Sequence, residues 1–267
     1  MKTALTIAGS DSSGGAGIQA DIKSMSANGV FAMSVITAIT AQNTMGVFGI
    51  ENISPEMIKS QIKVIFEDIK VDAIKIGMVS EIVSIEAISE ALKQIKNLPP
   101  VVLDPVMVST SGYKLLSDNA KETLIRELFP LSTLITPNLP EVEEILGIKI
   151  NNLDDMKDAA LKLKDLGANY VLIKGGHLQD DATDVLYDGE KFIYLKEEKI
   201  HTENTHGTGC TLSSAIAANL AKGMNIEKAV VEAKKYITGA IRYGFKLGKG
   251  VGPTNHFYKF YESESLI

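Results

Sequence analysis

The run Glu203-Asn-Thr-His-Gly-Thr-Gly-Cys-Thr-Leu-Ser-Ser-Ala-Ile-Ala-Ala-Asn-Leu220 carries a polar, glycine-containing loop straight into an Ala-rich helix. The first turn of a helix has unpaired N–H groups, and the helix dipole puts partial positive charge there, so such a junction favours an anion. Gly207 and Gly209 let the backbone approach a ligand without side-chain clash. The chain's only cysteine, Cys210, falls in that first turn, where a stabilised thiolate is expected to act on a proton, a phosphate or an electrophile. The predicted chemistry is phosphoryl transfer, with the amides of Gly207, Thr208, Gly209 and Cys210 around the transferring group. A tight turn followed by a small buried thiol is the simpler alternative.

Charged residues at the ends of apolar runs extend this set. Asp104 closes Val101-Val-Leu, where a carboxylate needs a cation or a donor, unless it merely caps a turn. In Leu134-Ile-Thr-Pro-Asn138-Leu-Pro-Glu141, Asn138 and Glu141 have capping-box spacing. Alternatively, Asp104 and Glu141 hold Mg²⁺ near a nucleotide, mostly through water. Lys174, after Tyr170-Val-Leu-Ile and before two glycines, suits a phosphate contact or a surface turn. The earlier run Gly9–Gly17, containing Asp11, lacks the Gly-Lys-Ser/Thr of a P-loop and the spacing of a dinucleotide fingerprint. It reads as a substrate-facing loop or as a glycine-rich turn.

The elements that must position these residues alternate. Strands are expected at Ala4–Ala8, Ser34–Ile39, Ala73–Ile76, Val101–Leu103, Thr133–Ile135 and Tyr170–Ile173. Helices are expected at Gly17–Asn28, Pro55–Ile69, Ile82–Ile95, Asp118–Leu128, Leu139–Leu146, Leu153–Leu166, Thr208–Ala221 and Ile226–Phe245, where apolar residues recur every three and four positions. The strands are almost wholly apolar, as in a sheet covered on both faces. The expected fold is therefore α/β, with a central, mostly parallel sheet and helices on both faces. Asp184 to Leu195 reads as a hairpin about Asp188-Gly189, an antiparallel edge. In such sheets ligands bind beyond the carboxyl ends of the strands, where all the candidate residues fall.

Composition limits the function. The chain has 267 residues, 45% apolar and 22% charged, with net charge −6 and no basic cluster, which argues against nucleic acid or anionic membrane as main partner. One cysteine excludes an intrachain disulfide and a multi-cysteine metal site, and His177, His201, His206 and His256 lack zinc spacing. The apolar run at the start stops at Gly9-Ser-Asp11, too short for a signal peptide, and no run approaches the ~20 residues of a membrane span. A cytoplasmic protein with one domain over 1–267 is expected. The tail from Glu262 is expected to be loosely held, and Ser109–Gly112 and His201–His206 are the flexible-looking loops.

Several motifs in one order resemble the hydroxymethylpyrimidine/phosphomethylpyrimidine kinases of thiamine biosynthesis, in the ribokinase superfamily. They are Ala8-Gly-Ser-Asp-Ser-Ser-Gly-Gly-Ala-Gly-Ile-Gln-Ala-Asp21, Thr40-Ala-Gln-Asn-Thr44, Lys75-Ile-Gly-Met78, Leu103-Asp-Pro-Val-Met107, Thr136-Pro-Asn-Leu-Pro-Glu141, Ile173-Lys-Gly-Gly-His177 and Thr205-His-Gly-Thr-Gly-Cys210. The resemblance runs from Ala4 to about Thr254. It implies a ribokinase-like fold, ATP-dependent phosphorylation of 4-amino-5-hydroxymethyl-2-methylpyrimidine and then of its monophosphate, and often a homodimer. It implies that Gly9, Asp21, Gln42 and Met78 line the pyrimidine pocket and that Asn138, Lys174 and Thr208 contact ATP. The amide of Gln42 offers a donor and an acceptor, complementary to a ring nitrogen beside an exocyclic amine. Many sugar kinases of the superfamily carry a catalytic Asp at the anion loop where this chain, like the branch it resembles, has Cys210. The nearest rival is a pyridoxal or pyridoxine kinase, whose substrate lacks that amine. A non-catalytic ligand sensor and a dinucleotide-dependent oxidoreductase are rivals of other classes.

Overall fold

The computed structural model describes residues 1–108, 112–113, 115–117, 119–176 and 182–261. Within them the strands are β1 (Thr3–Asp11), β2 (Phe31–Asn43), β3 (Gly46–Asn52), β4 (Ala73–Ile76), β5 (Val101–Leu103), β6 (Leu134–Ile135), β7 (Tyr170–Ile173), β8 (Ala182–Tyr187) and β9 (Phe192–Glu197). The helices are α1 (Gly17–Ala27), α2 (Pro55–Asp68), α3 (Ile82–Lys93), α4 (Ala120–Leu128), α5 (Leu139–Leu146), α6 (Leu153–Asp165), α7 (Thr208–Ala221) and α8 (Ile226–Arg242). The strands form a single sheet in the order β3-β2-β1-β4-β5-β6-β7-β8-β9. Strands β2 through β7 in that order pair in parallel, while β3, β8 and β9 pair antiparallel to their inner neighbours.

Strand alternation sorts the apolar side chains into two cores. Leu5, Ile7, Ile74, Ile76, Val101, Leu103, Ile135, Val171 and Ile173 face α2 to α6, whose Ile58, Ile62, Ile85, Ile88, Leu124, Val142 and Leu163 complete that layer. Ala4, Ala73, Val102, Leu134, Leu172 and Leu186 face the other way, toward Met25 of α1 and the buried residues of α7 and α8. Small residues on both sides (Ala4, Ala73, Ala215, Ala217, Ala218) let α7 lie close to the sheet. Helix starts follow local chemistry: Ser54 accepts from Met57 N ahead of Pro55, and Asn152 and Asn225 cap α6 and α8.

The α/β architecture and the antiparallel hairpin at one edge are as expected. The strand at the other edge, β3, is an addition, and β1 and β2 run further than their apolar segments suggested. Asp118, His177 and the tail from Glu262 lie outside the described residues, as do residues 109–111 of the suggested loop.

Candidate active site

Strand order reverses at β1, which is hydrogen-bonded to β2 on one side and β4 on the other. A crevice opens at the carboxyl ends of strands at such a point. A cavity of about 950 Å³ lies there, bordered by Gly9, Gln42, Met78, Asp104, Lys174 and the start of α7. Gly9, Gln42, Met78, Asp104, Asn138, Glu141, Lys174, Gly207, Thr208, Gly209 and Cys210 all reach it; Asp21 does not.

At its centre the anion loop meets a buried ion pair. Lys174 Nζ donates to Asp104 Oδ1 at 2.7 Å, and Thr136 Oγ1 donates to the same oxygen at 3.2 Å. Gly209 is packed on this pair: a Cβ there would stand 3.2 Å from Asp104 Oδ2 and 3.3 Å from Lys174 Nζ. The lysine therefore lies within reach of whatever anion the α7 amides hold. Burial works against its charge, but Asp104 and Glu141 outweigh that and raise its pKa. Gly207 has φ +77, and a Cβ there would overlap the Gly15 carbonyl, so this position requires glycine.

Glu141 and Asn138 form the capping box that their spacing suggested. Asn138 N donates to Glu141 Oε2 at 2.8 Å and Glu141 N to Asn138 Oδ1 at 2.9 Å. The Glu141 carboxyl is nonetheless perturbed: burial, with the Asp104 charge adding to it, pushes it up to about 7 against the pull of Lys174. A carboxylate so placed gains from a cation. Among the described residues no three His, Cys, Asp or Glu side chains group as a metal cluster. Two hard carboxylates at the edge of a phosphate site fit Mg²⁺, which keeps most of its water and takes few protein ligands.

Two expectations need correction. Asp21, expected to line the pocket, is fully enclosed beneath it: Lys75 Nζ donates to both its oxygens at 2.8 and 3.0 Å, Ser214 Oγ at 2.6 Å and Thr6 Oγ1 at 2.5 Å. It neutralises a lysine buried in the middle of β4 rather than meeting a ligand. The thiolate expected at Cys210 is disfavoured: burial, with Asp21 and Asp104 nearby, pushes the thiol up to about 11 despite the Lys75 charge.

The opposite end of the cavity is built from the two β1-edge loops. Met78 lies over Gly9, where a Cβ would stand 3.0 Å from its Sδ, and its carbonyl accepts from Gly9 N and Thr37 Oγ1. Asp11 Oδ1 accepts from Ser13 N and Ser13 Oγ, and Oδ2 accepts from Gly15 N, Ala16 N and His206 Nε2. Burial alone would raise this carboxyl, but His206 and Ser13 hold it down at about 2. The amides of the first glycine loop thus serve the chain's own carboxylate. His206, buried between this loop and Gln42, was not singled out from sequence, nor was the Asp184–Lys234 pair (2.7 Å) that borders the cavity on the β8 side. Its position beside Gly207 was the available signal. Of the loop expected to be flexible, His206 is thus fixed by hydrogen bonds and His201 is exposed. On the α8 side the wall is apolar, with Leu212, Ile237 and Ile241, a surface suited to a flat base.

An anion-stabilising helix terminus, a buried lysine–carboxylate pair and a switch-point crevice on this sheet define a ribokinase-like phosphotransferase. The chain belongs to the phosphomethylpyrimidine kinase family, whose model matches residues 11–255. It is 48% identical over 263 residues to a hydroxymethylpyrimidine/phosphomethylpyrimidine kinase of Rhizobium meliloti, covering 97% of this chain and 98% of that one. It also matches a thiamine biosynthesis bifunctional protein ThiED of Geobacter sulfurreducens at 47% identity, where 94% of the chain spans about half (51%) of that longer protein. Among solved structures, a phosphomethylpyrimidine kinase from Clostridium difficile is 53% identical (TM-score 0.81; 90% of this chain, 100% of that one). A Bacillus subtilis pyridoxal kinase in complex with ADP is 43% identical (TM-score 0.88; 97% and 98%).

Proposed function

We propose that the protein transfers the γ-phosphoryl group of ATP to the hydroxymethyl oxygen of 4-amino-5-hydroxymethyl-2-methylpyrimidine, and then phosphorylates the monophosphate to the diphosphate, as a step of thiamine biosynthesis. The observation that carries this is the packing of Gly209 on the Asp104–Lys174 pair, with Gln42 across the same cavity. The flat ring lies against Met78 and Gly9 and pairs with Gln42. Nucleotide phosphates extend from the Gly207–Cys210 amides past Thr208, Lys174 and Asn138, and the base takes the apolar wall of Leu212, Ile237 and Ile241. Transfer is direct and in line: the substrate O–P bond forms as the bond to the ADP oxygen breaks, and the amides and Lys174 hold the charge that develops. Asp104 and Glu141 would hold Mg²⁺, largely through water, and there it would supply charge to offset that of the phosphates.

Cys210 meets this reaction as a thiol. A loose transition state requires little help from a base, so its part is to orient the hydroxyl. Pyridoxal kinase is the second reading, favoured by the close structural likeness to pyridoxal kinases. Gln42 argues against it, since pyridoxal offers no exocyclic amine for the amide oxygen to accept from. Assembly as a homodimer belongs to the proposal, with the uncovered edge strand β3 and its exposed Phe48 available to a second copy.

Incubation with ATP, Mg²⁺ and, separately, the pyrimidine, its monophosphate and pyridoxal, read by product mass, tests the assignment. Mono- and diphosphate of the pyrimidine are expected, with pyridoxal far slower. Efficient pyridoxal phosphate formation transfers the assignment to the second reading.

A further inference from the structure

The hydrogen bonds around Gln42 determine which way its amide faces. One terminal atom of that amide lies 3.1 Å from Thr40 Oγ1 and the other 3.4 Å from His206 Nε2. The two orientations have the same shape, so only the partners distinguish them. Asp11 is ionised at neutral pH, and a carboxylate only accepts, so the ring nitrogen 2.8 Å from its Oδ2 carries a proton. His206 Nε2 therefore gives its proton to Asp11 and has no lone pair to offer Gln42. On the other side, Thr40 Oγ1 lies 2.8 Å from the Ser10 carbonyl, which also only accepts, so the hydroxyl proton is committed there. Thr40 is left as an acceptor. An amide NH₂ against His206 would set donor against donor, and an amide oxygen against Thr40 would set acceptor against acceptor. Only the opposite orientation avoids both oppositions: NH₂ donates to Thr40, and the oxygen faces the His206 N–H dipole whose proton Asp11 holds.

The consequence concerns the reacting group, and it rests on the substrate reading above. In the aminopyrimidine, ring nitrogen N3, the C4 amine and the C5 hydroxymethyl group follow one another around the ring. The Gln42 NH₂ donates to N3 and its oxygen accepts from the amine. With the oxygen on the His206 side, the hydroxymethyl group falls beyond it on that side of the cavity, which Gly207–Cys210 also border. A reversed amide would turn the hydroxymethyl group away from the anion loop. We propose that Asp11, His206 and Thr40 are positioning residues that lock the Gln42 amide in one orientation, and thereby select the 4-amino substrate and aim its hydroxymethyl group at the phosphoryl site.

The test uses a substrate with the reversed pattern. The 4-oxo analogue presents an acceptor at C4 and a donor at N3. Binding of both pyrimidines is measured by calorimetry without nucleotide, and kcat/KM is measured with ATP, for the wild type, His206→Leu and Thr40→Val. The wild type is expected to prefer the amino compound by about 100-fold or more, since a site built for one hydrogen-bond pattern rejects its inverse. Each variant is expected to lower that preference at least about tenfold, with the KM for ATP little changed; His206→Leu also strands the buried Asp11 carboxylate and lowers the melting temperature, whereas Thr40→Val does not. A ratio is insensitive to any general loss of folded enzyme. A preference unchanged in whichever variant folds overturns the orienting role while leaving the proposed function intact. Failure of the wild type to bind or phosphorylate either pyrimidine overturns the substrate reading, and this inference with it.

Discussion

Glu141→Gln separates what this side chain does for the fold from what it does for the reaction. Glutamine can accept from Asn138 N as the carboxylate does, so the α5 cap survives. What changes is the ionisation. In the native protein the carboxyl is raised from 4.5 to about 7 by burial and by Asp104. Below pH 4.5 it is neutral in both native and unfolded chains and costs nothing. As pH rises, the unfolded chain ionises first, and stability is lost progressively until the native group has ionised as well, above pH 7. At about 1.36 kcal/mol per tenfold, that loss amounts to on the order of 3 kcal/mol at pH 8. The variant should therefore match the wild type at pH 4 and exceed it by about that much at pH 8, in urea titrations without ATP or Mg²⁺. Phosphorylation at saturating ATP and limiting Mg²⁺ should meanwhile fall, because a cation contact is lost. A stability difference that does not vary with pH, or a variant weaker than the wild type at pH 8, would refute the reasoning.

The other predictions concern the floor of the cavity. Lys75→Met strands the enclosed Asp21 without its cation and should cost about 3–5 kcal/mol of stability; a loss under ~1 kcal/mol would mean that the pair is not buried as described. Alkylation of Cys210 by iodoacetamide should accelerate continuously through pH 9, following a thiol pushed up to about 11, whereas a plateau below pH 8 would reinstate the thiolate. Cys210→Ala should lower kcat by about 10–100-fold with an unchanged melting temperature, and near-normal turnover would remove its role. Gly207→Ala places a side chain at φ +77 against the Gly15 carbonyl, so ATP binding and stability (by about 1–3 kcal/mol) should fall together, as calorimetry and melting would show.

Sequence reading located the middle of the sheet well and its margins less well. Strands β4, β5 and β7 match their apolar runs, because a strand buried on both faces is almost wholly apolar and Lys75 is the one charged interruption. Helices α5 and α7 match too, one from its Asn-x-x-Glu cap and the other from its glycine-to-alanine junction. Strand β3 was missed because Gly-Val-Phe-Gly-Ile-Glu-Asn has two glycines and leaves Phe48 uncovered at an edge. The ends of β1 and β2 were missed because Ser10, Asp11, Thr40 and Gln42 face the site, and function makes those strand ends polar. In the site, spacing brought Asp104, Lys174 and Gly209 together correctly. Asp21 was misplaced because its partner, Lys75, lies 54 residues away. A lysine inside Ala-Ile-Lys-Ile was the hint that some carboxylate had to be buried with it. His206 carried no periodic signal, only its position before Gly207.

The late place of α7 in the chain has a consequence for biosynthesis. This helix packs on β1, β4 and β5 and on α1, yet it leaves the ribosome about a hundred residues after β5, roughly 5–20 s later at about 5–20 residues per second. Until then the face carrying Ala4, Ala73 and Val102 is covered only by α1, and the anion loop has no scaffold to stand on. The nascent chain must therefore hold a half-covered sheet in solution for seconds, a window in which a chaperone, or another nascent chain, has first access to the surface that α7 will occupy.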